Sequence, residues 1–389
     1  MSAVPHPPAS APGRIEVAID PVPRRVLLIS NKVFHYRVAN YNYFARRFRE
    51  EGYELVVRAD ELQKSNPYPL EFDFKTVPFG FLRYRREIEA IKPDVVILFL
   101  HLKNLFIWPL LHWLMLRRTP VVYWNKGVNL EVRNPSWRNH LFYYVHSRCD
   151  AIILYCRQNL TDIQPKNRGK VFVASNTINL DALPLVAESK EEIKREFGIP
   201  FQKVVLFVGR MRTAKKVEHL IAAFNSIDEP GAGCVIVGDA MDYDLKGMIK
   251  TDKILYLGEI FDPKNERVSK LFKAADIFCI PGDVGLGLNE AFHWGLPVVT
   301  EDGLQPPEIH YLTPGRNGFI VPENDIAALK ERLLVLLRDD ALRADFSRAA
   351  REDIARQASI EGMFRGFLDC VRKLAPVGAA PAGPTRQRT

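Results

Sequence analysis

The chain has 389 residues and a net charge of +8, and 47% of its residues are apolar and 26% are charged. This length is too great for one ordinary hydrophobic core, so two domains are predicted. The balance of apolar and charged residues is typical of a soluble globular protein.

The ends of the chain are predicted to be disordered tails. Residues 1–20 and 376–389 are rich in Pro, Ala and Gly and have no periodic apolar pattern. Because residues 1–20 also lack a basic segment followed by an apolar one, no signal peptide is predicted. The five cysteines are scattered without a CxxC pair, so we expect a reduced, cytoplasmic chain with buried thiols.

Charge is unevenly distributed along the chain. Residues 1–175 contain 26 Lys and Arg against 15 Asp and Glu, whereas the remainder contains 28 against 31. The basic half favours an anionic partner, such as a membrane surface, and a solvated basic face without a partner is the alternative. Nucleic acid is not expected, since no nucleic-acid-binding motif accompanies the charge.

Short apolar runs alternate with helical patterns along the chain. Six strands are predicted in each half, at 24–30, 53–57, 94–100, 120–124, 150–155 and 170–175, and then at 203–209, 233–238, 253–258, 276–281, 297–300 and 318–321. Many runs lack in–out alternation, as expected for strands covered on both faces. The pattern predicts an α/β fold with two doubly wound, parallel-sheet, Rossmann-like domains.

The domain boundaries follow from where the strand pattern stops and restarts. A charged helical segment at 189–200 separates the two sets of strands. The domains are therefore predicted at 21–178 and 179–345, and C-terminal helices at 346–375 could cross back to the first domain.

An apolar segment, NLFIWPLLHWLMLRR at 104–118, allows two interpretations. Pro109 and His112 interrupt it, and it is too short to span a bilayer. It is predicted to be either a core helix or a helix lying in a membrane interface. The residues that would contact lipid are Trp108, Trp113, Arg117 and Arg118.

The stretch PGDVGLGLNEAFHWGLPVVT, residues 281–300, places three glycines between a strand and a short helix. Free N–H groups at such a helix start favour phosphate binding. Glu290, about one turn into the helix, could accept hydrogen bonds from ribose hydroxyls. An ordinary strand–turn–helix with a half-buried glutamate is the alternative. The donor-binding residues predicted here are Gly282, Asp283, Gly285, Leu286, Gly287, Leu288 and Glu290.

A second motif, VGRMRTAKKVEHLIAAF at 208–224, follows another strand. The strand ends at Gly209, and the cations Arg210, Arg212, Lys215 and Lys216 come directly after it. Ligands of open α/β sheets bind at the carboxyl ends of strands, where Arg and Lys can bind phosphate. A solvated basic loop is the alternative.

Together the two motifs resemble the nucleotide-sugar-dependent glycosyltransferases of family four, which have the GT-B fold. The resemblance covers 24–374, is strongest from 203 to 322, and includes GRNGFIV at 315–321. It implies that the two domains face a cleft, that Arg210 and Lys215 bind the donor diphosphate, and that Glu290 holds the donor ribose. No GxxxxGK[ST] loop is present, which disfavours nucleotide hydrolysis.

The chain departs from the family pattern in the second domain. Lys216 replaces the glycine that usually follows the lysine. The family's first glutamate, which contacts the donor sugar, falls at Gly282. Either Asp283 or the loop backbone takes its place, or the sugar specificity is unusual.

The first domain also departs from the pattern. Lys126 stands where the family often has a histidine, and it could stabilise the leaving diphosphate or be a plain loop lysine. After the first strand, four residues replace a frequent glycine pair and are expected to face the acceptor, although His35 could equally be a packed residue. These four residues are Asn31, His35, Tyr36 and Arg37.

The resemblance implies a retaining hexosyltransferase that needs no metal. No DxD pair lies where a Mg²⁺-binding diphosphate site would place one, and no Cys/His spacing suggests zinc. The catalytic residues of such an enzyme would be Lys126, Asp283, Arg210 and Lys215, its acceptor residues His35, Tyr36 and Arg37, and Gly209 would join the donor site. The expected acceptor is a soluble or polyprenyl-diphosphate-linked saccharide of surface polysaccharide assembly, at the cytoplasmic membrane face. A nucleotide-sugar epimerase and a catalytically silent nucleotide-sugar-binding protein are the alternatives.

Overall fold

The computed structural model describes residues 22–128, 137–241, 243–262 and 264–378. The tail predicted at 1–20 lies outside the described residues, and so does the tail at 376–389 apart from its first three residues. Within the described part of the chain, two parallel sheets are present, as predicted.

The first sheet has the order β3-β2-β1-β4-β5-β6-β7, and all its neighbouring strands are parallel. Its strands are β1 (Arg24–Val33), β2 (Tyr53–Leu62), β3 (Asp73–Thr76), β4 (Val95–Phe99), β5 (Val121–Asn125), β6 (Ala151–Leu154) and β7 (Val171–Val173). The prediction of six strands was wrong by one, because the edge strand β3 has the sequence DFKT and mostly exposed side chains. It therefore carries no apolar run that a sequence pattern could show.

The second sheet has six parallel strands in the order β10-β9-β8-β11-β12-β13. These strands are β8 (Lys203–Val208), β9 (Ala232–Val237), β10 (Ile254–Tyr256), β11 (Ile277–Cys279), β12 (Val298–Asp302) and β13 (Gly318–Pro322). All six match predicted runs. In both sheets the strand order reverses beside the first strand, and such a reversal is where open α/β sheets bind ligands.

Helices connect the strands and cover both faces of the sheets. In the described residues they are α1 (His35–Glu50), α2 (Phe81–Ile91), α3 (Ile107–Leu116), α4 (Trp137–Arg148), α5 (Lys190–Glu196), α6 (Val217–Phe224), α7 (Leu245–Met248), α8 (Glu266–Ala274), α9 (Gly287–His293), α10 (Ile326–Arg338), α11 (Asp340–Gln357) and α12 (Ile360–Leu374). Crossover helices of this kind are what joins parallel strands.

The C-terminal helices divide between the two domains. Phe346 and Ile354 of α11 lie in the core of the second domain. Phe364 and Phe367 of α12 lie instead in the core of the first domain, where the Phe367 ring is 4.8 Å from the ring of Trp124. The chain therefore crosses back between α11 and α12.

The apolar segment at 104–118 forms a core helix. Ile107, Leu110, Leu111 and Leu114 of α3 are completely buried against the first sheet. A helix with this face packed on protein cannot lie with the same face in a membrane interface. Leu116, by contrast, is 83% exposed beside Trp113. No helix of the described residues has the length and apolar character needed to cross a membrane.

Candidate active site

A cavity of about 710 Å³ lies between the carboxyl ends of the two sheets. Loops after β1, β4, β5 and β6 form its first-domain wall, and loops after β8, β11 and β12 form its second-domain wall. The residues that line the cavity include Tyr36, Arg37, Phe99, His101, Trp124, Lys126, Asn176, Arg210, Arg212, Lys215, Asp283, Gly285, Leu286 and Glu308. The cavity thus brings together predicted donor, acceptor and catalytic residues.

Lys215 is the most buried cation of the second-domain wall. Its side chain is 12% exposed, and Nζ donates a hydrogen bond to the Asp283 carbonyl oxygen and lies 3.7 Å from Asp283 Oδ1. Burial lowers the pKa of Lys215, while the Asp283 carboxylate acts in the opposite direction. Arg210 and Arg212 are exposed at the same wall. All three cations line this wall, and a phosphate site requires such positive charge.

Gly282 does not line the cavity, because it lies against the turn that carries Lys215. The Gly282 N–H donates to the Lys215 carbonyl (3.0 Å), and the Asp283 N–H donates to the Ala214 carbonyl (2.7 Å). A Cβ atom on residue 282 would overlap the Ala214 carbonyl oxygen. The glutamate expected from the family pattern has no room here, so this arrangement requires glycine.

The rest of the glycine loop divides between the cavity and the core. Gly285, with a φ of +54°, and Leu286 line the cavity. Leu288 is completely buried in the core of the second domain. Gly287 packs near the Phe278 ring. Gly209, like Gly287 and Leu288, is not among the residues that form the cavity wall.

Lys216 points away from the cavity. Its Nζ lies 3.0 Å from Glu301 Oε2 and 3.1 Å from Glu323 Oε1, and it donates to Asn324 Oδ1 at 2.8 Å. Its φ of +50° is left-handed, which explains why glycine is usual at this position in the family. Ion pairs to the completely buried Glu301 offset the strain.

Glu290 lies outside the cavity wall, in a separate polar environment. It is half-buried, and Oε1 accepts a hydrogen bond from Asn265 Nδ2 at 2.5 Å. Burial raises the pKa of Glu290 to about 7, and the nearby Asp262 adds to the rise. Burial and the carboxylates of Asp262 and Glu290 also raise the pKa of Tyr68, which places this first-domain residue close by.

An aromatic cluster holds a buried arginine in the first-domain wall. Arg37 is 4% exposed, and its guanidinium carbon lies 4.9 Å from the Trp124 ring centroid and 5.5 Å from that of Phe99. Nη2 donates to Asn176 Oδ1 at 2.9 Å, whereas Nη1 is buried without a described partner. Tyr36 also lines the cavity. His35 instead turns toward Gln63, with Nδ1 3.0 Å from Oε1.

Lys126 lies where the sequence placed it. It follows β5 directly, is exposed, and lines the cavity. Asn31 lines the cavity too, and its side-chain amide donates to the Phe99 carbonyl at 3.2 Å.

Several residues that line the cavity are not among the predicted site residues, and three of them, His101, Asn176 and Glu308, are polar or charged side chains of its walls. His101 could have been predicted from the sequence, because it directly follows a predicted strand and ligands of open α/β sheets bind at the carboxyl ends of strands. Glu308 follows β12 by several residues, in a 3₁₀ turn (Pro307–Tyr311), and Asn176 lies in the linker between the domains. Nothing in the sequence shows that these two side chains meet.

No cluster of three or more His, Cys, Asp or Glu side chains that could hold a metal ion occurs among the described residues. All five cysteines are buried and unpaired. Independence from metal stays a prediction.

Replacing Gly282 with alanine is expected to weaken the binding of a nucleotide-sugar at least about tenfold, because the added Cβ displaces the turn that holds Lys215. Isothermal titration calorimetry measures this change. The control is Gly169→Ala, where a Cβ has no neighbour within 4 Å. Unchanged affinity in the Gly282 variant would show that this contact does not position the cation.

The affinity for a nucleotide-sugar is expected to rise about tenfold between pH 6 and pH 8. The pKa of Glu290 is about 7 in the free protein. The resemblance implies that this carboxylate accepts hydrogen bonds from the donor ribose, and such bonds would favour its charged form, so binding below pH 7 would release a proton. A nucleotide-sugar is the suitable probe, because its doubly esterified diphosphate does not titrate in this range. Glu290→Gln should remove the pH dependence, and a Gln variant that keeps it would contradict the assignment.

The same linkage acts on stability. The folded-state pKa of Glu290 lies above its ordinary value of 4.5. The contribution of the protonated Glu290 to the free energy of unfolding is therefore fully present below pH 4.5 and is lost as the pH rises through about 7.

Comparison with known proteins identifies both domains. The model for glycosyl transferases group 1 matches residues 189–353, and the model for glycosyltransferase family 4 matches residues 41–182.

Curated relatives are similar over part of the chain. N-acetyl-alpha-D-glucosaminyl L-malate synthase of Bacillus anthracis is 27% identical over 177 residues, which is 43% of this chain and 44% of the relative. Phosphatidyl-myo-inositol mannosyltransferase of Mycobacterium leprae is 31% identical over 191 residues, 46% of this chain and 48% of the relative. The matches thus span about half the length of these relatives.

The fold is similar to that of Anabaena Alr3699/HepE, whose structure contains UDP. The TM-score is 0.73 at 15% sequence identity, over 90% of this chain and all of the other. At this identity the similarity concerns the fold, which is GT-B. Since each family model matches one of the two domains, the chain belongs to the family 4 glycosyltransferases of the GT-B fold.

Proposed function

We propose that the protein transfers a hexosyl group from a nucleotide-diphospho-sugar to a hydroxyl group of a saccharide acceptor, with retention of the anomeric configuration. The bond between the sugar C1 and the β-phosphate oxygen breaks, and a bond between C1 and the acceptor oxygen forms on the same face. The acceptor proton passes to the leaving phosphate oxygen, so the step requires no separate side-chain base.

The charge of the cavity is the observation that carries this proposal. Among the described lining residues, six are Lys or Arg and two are carboxylates. Arg210, Arg212 and Lys215 would bind the donor diphosphate and stabilise the charge that develops as it leaves. The structurally similar Anabaena protein was solved in complex with UDP, which supports a nucleotide ligand for this fold.

The first-domain wall supports an anionic acceptor. Arg37 and the exposed Lys126 line the cavity from the first domain, and Nη1 of Arg37 is buried without a described partner. In an acceptor with a single sugar, the attached diphosphate lies within one sugar ring of the reacting hydroxyl, so these two cations could bind it. We therefore propose a polyprenyl-diphosphate-linked saccharide as acceptor. The similarity to a mannosyltransferase named for phosphatidyl-myo-inositol supports a lipid-linked substrate.

A lipid-linked acceptor requires a surface that meets the membrane. The exposed edge of α3 suits this role, because Leu116 is 83% exposed and the Arg117 guanidinium lies 5.7 Å from the Trp113 ring centroid. Leu82 of the neighbouring α2 is 63% exposed. An apolar edge with adjacent arginines is typical of peripheral binding to anionic lipid at the cytoplasmic face.

Lys215→Ala is expected to weaken binding of the donor about 10- to 150-fold and to abolish transfer, because it removes a charge-assisted contact worth about 1.5–3 kcal/mol. Thermal shift with UDP-, GDP- and dTDP-sugars first identifies the donor, and calorimetry then compares the variants. Lys216→Gly is the matched control, since the neighbouring lysine points away from the cavity. Equal donor affinity and turnover in wild type and Lys215→Ala would overturn the donor site, and wild type that binds none of the donors would overturn the function.

Arg117→Glu combined with Arg118→Glu is expected to reduce flotation with phosphatidylglycerol vesicles at least about tenfold, since each lost cation near an anionic surface costs about 1 kcal/mol. Flotation with phosphatidylcholine vesicles measures the part of membrane binding that does not depend on lipid charge. Reversal of Arg348 and Arg365, whose side chains are 69% and 72% exposed elsewhere on the protein, is the matched control. Equal losses in both double variants would argue against membrane docking by α3.

A further inference from the structure

One carboxylate in the cavity has an oxygen without a partner. Glu308 is 4% exposed, and one of its oxygens, Oε1, accepts a hydrogen bond from Asn176 Nδ2. The other oxygen, Oε2, is buried, and no described residue donates a hydrogen bond to it. Leaving a buried polar atom unpaired costs free energy, and the cost is larger for a charged group. This oxygen therefore has unused capacity to accept a hydrogen bond from a ligand hydroxyl.

Glu308 is held rigidly by its neighbours. The Asn176 carbonyl accepts hydrogen bonds from Asn289 Nδ2 at 3.2 Å and from the Tyr311 hydroxyl at 3.0 Å. The Asn176 N–H donates to the Tyr155 carbonyl at 2.9 Å. Because the Asn176 backbone is bonded on both sides, its side chain offers Glu308 Oε1 a donor at a fixed position. A pre-oriented hydrogen-bond acceptor is what sugar hydroxyls require from a specific site.

The carboxylate lies between the two sets of cations. Its charge acts on Lys215 in the second-domain wall, opposing the effect of burial on the pKa of that lysine. Through Asn176 it is also linked to Arg37 in the first-domain wall. In the proposed reaction the transferred sugar lies between the donor phosphates and the acceptor, so Glu308 lies beside the place of that sugar.

Neither residue 282 nor residue 283 offers an equivalent group. Gly282 has no room for a side chain. The Asp283 side chain is 31% exposed, and one of its oxygens already faces Lys215. Among the described residues that line the cavity, Glu308 is therefore the buried carboxylate with an oxygen that accepts no hydrogen bond.

We infer that Glu308 binds hydroxyl groups of the transferred sugar and so takes the role of the glutamate that the family pattern places at position 282. The inference rests on the proposed glycosyl transfer from a nucleotide-sugar. It assigns recognition of the sugar to the loop after β12, whereas the phosphates are bound by the loops after β8 and β11.

Glu308→Gln separates this role from a structural one. The glutamine can keep the hydrogen bond from Asn176, because its Oε1 still accepts, but an amide NH₂ replaces the free oxygen. The expected result is an affinity for the nucleotide-sugar that is reduced roughly tenfold to a hundredfold, with an unchanged affinity for the nucleoside diphosphate. The probes are UDP with UDP-glucose, or GDP with GDP-mannose, whichever pair wild type binds, measured by calorimetry at one pH. If Glu308 has only a structural role, Glu308→Gln should change the affinities for the nucleotide-sugar and for the nucleoside diphosphate to the same extent.

Asp283→Asn tests the rival assignment, in which Asp283 contacts the sugar. If Glu308 makes this contact instead, the ratio of the two affinities in Asp283→Asn should stay within about twofold of wild type. A ratio that changes in Asp283→Asn and not in Glu308→Gln would overturn the assignment. Wild-type protein that binds neither nucleotide would overturn the proposed function itself, which is a different outcome from an unchanged ratio.

Donors that lack one hydroxyl test the contact without relying on a variant that folds poorly. At least one deoxy donor should bind wild type roughly tenfold more weakly than the parent donor. If Glu308→Gln folds, its affinities for this deoxy donor and for the parent donor should differ by less than about twofold, because the variant has already lost the contact. If every deoxy donor binds wild type as well as the parent does, the inference is wrong.

Discussion

Two backbone hydrogen bonds between loops of the second sheet fix the centre of the site. They join Gly282 and Asp283 to the carbonyls of Lys215 and Ala214. The contact is close because residue 282 has no Cβ atom. As a consequence, the Lys215 ammonium reaches the Asp283 carbonyl and stays at the cavity wall with little exposure. The absence of a glutamate at residue 282 and the position of the Lys215 cation therefore have one physical cause.

A second constraint lies at Asn176, where the linker passes between the domains. Its backbone is bonded to both domains, and its side chain connects Arg37 to Glu308. The chain crosses the boundary again before α12, whose aromatic residues pack under the first sheet. Two crossings hold the carboxyl ends of the sheets facing each other, so a ligand between them contacts both domains.

The strand pattern was predictable because most strands of parallel sheets are buried on both faces and show continuous apolar runs. All twelve predicted strands are present, and the missed β3 is an exposed edge strand. The sequence could not decide whether the segment at 104–118 is a core helix or an interfacial one, because an apolar helix has the same composition whether protein or lipid covers it. The complete burial of Leu110 and Leu111 in the structure shows that it is a core helix.

The sequence by itself determined the two sheets, the cationic loop at 210–215 and the glycine loop, since these depend on local patterns of a few residues. Tertiary structure decided which side chains face the cavity. Neighbouring residues diverge there, so that Lys215 faces the cavity and Lys216 faces Glu301. Glu308 and Asn176 meet across 132 positions of sequence, and only the folding of both domains around one linker brings such distant residues together.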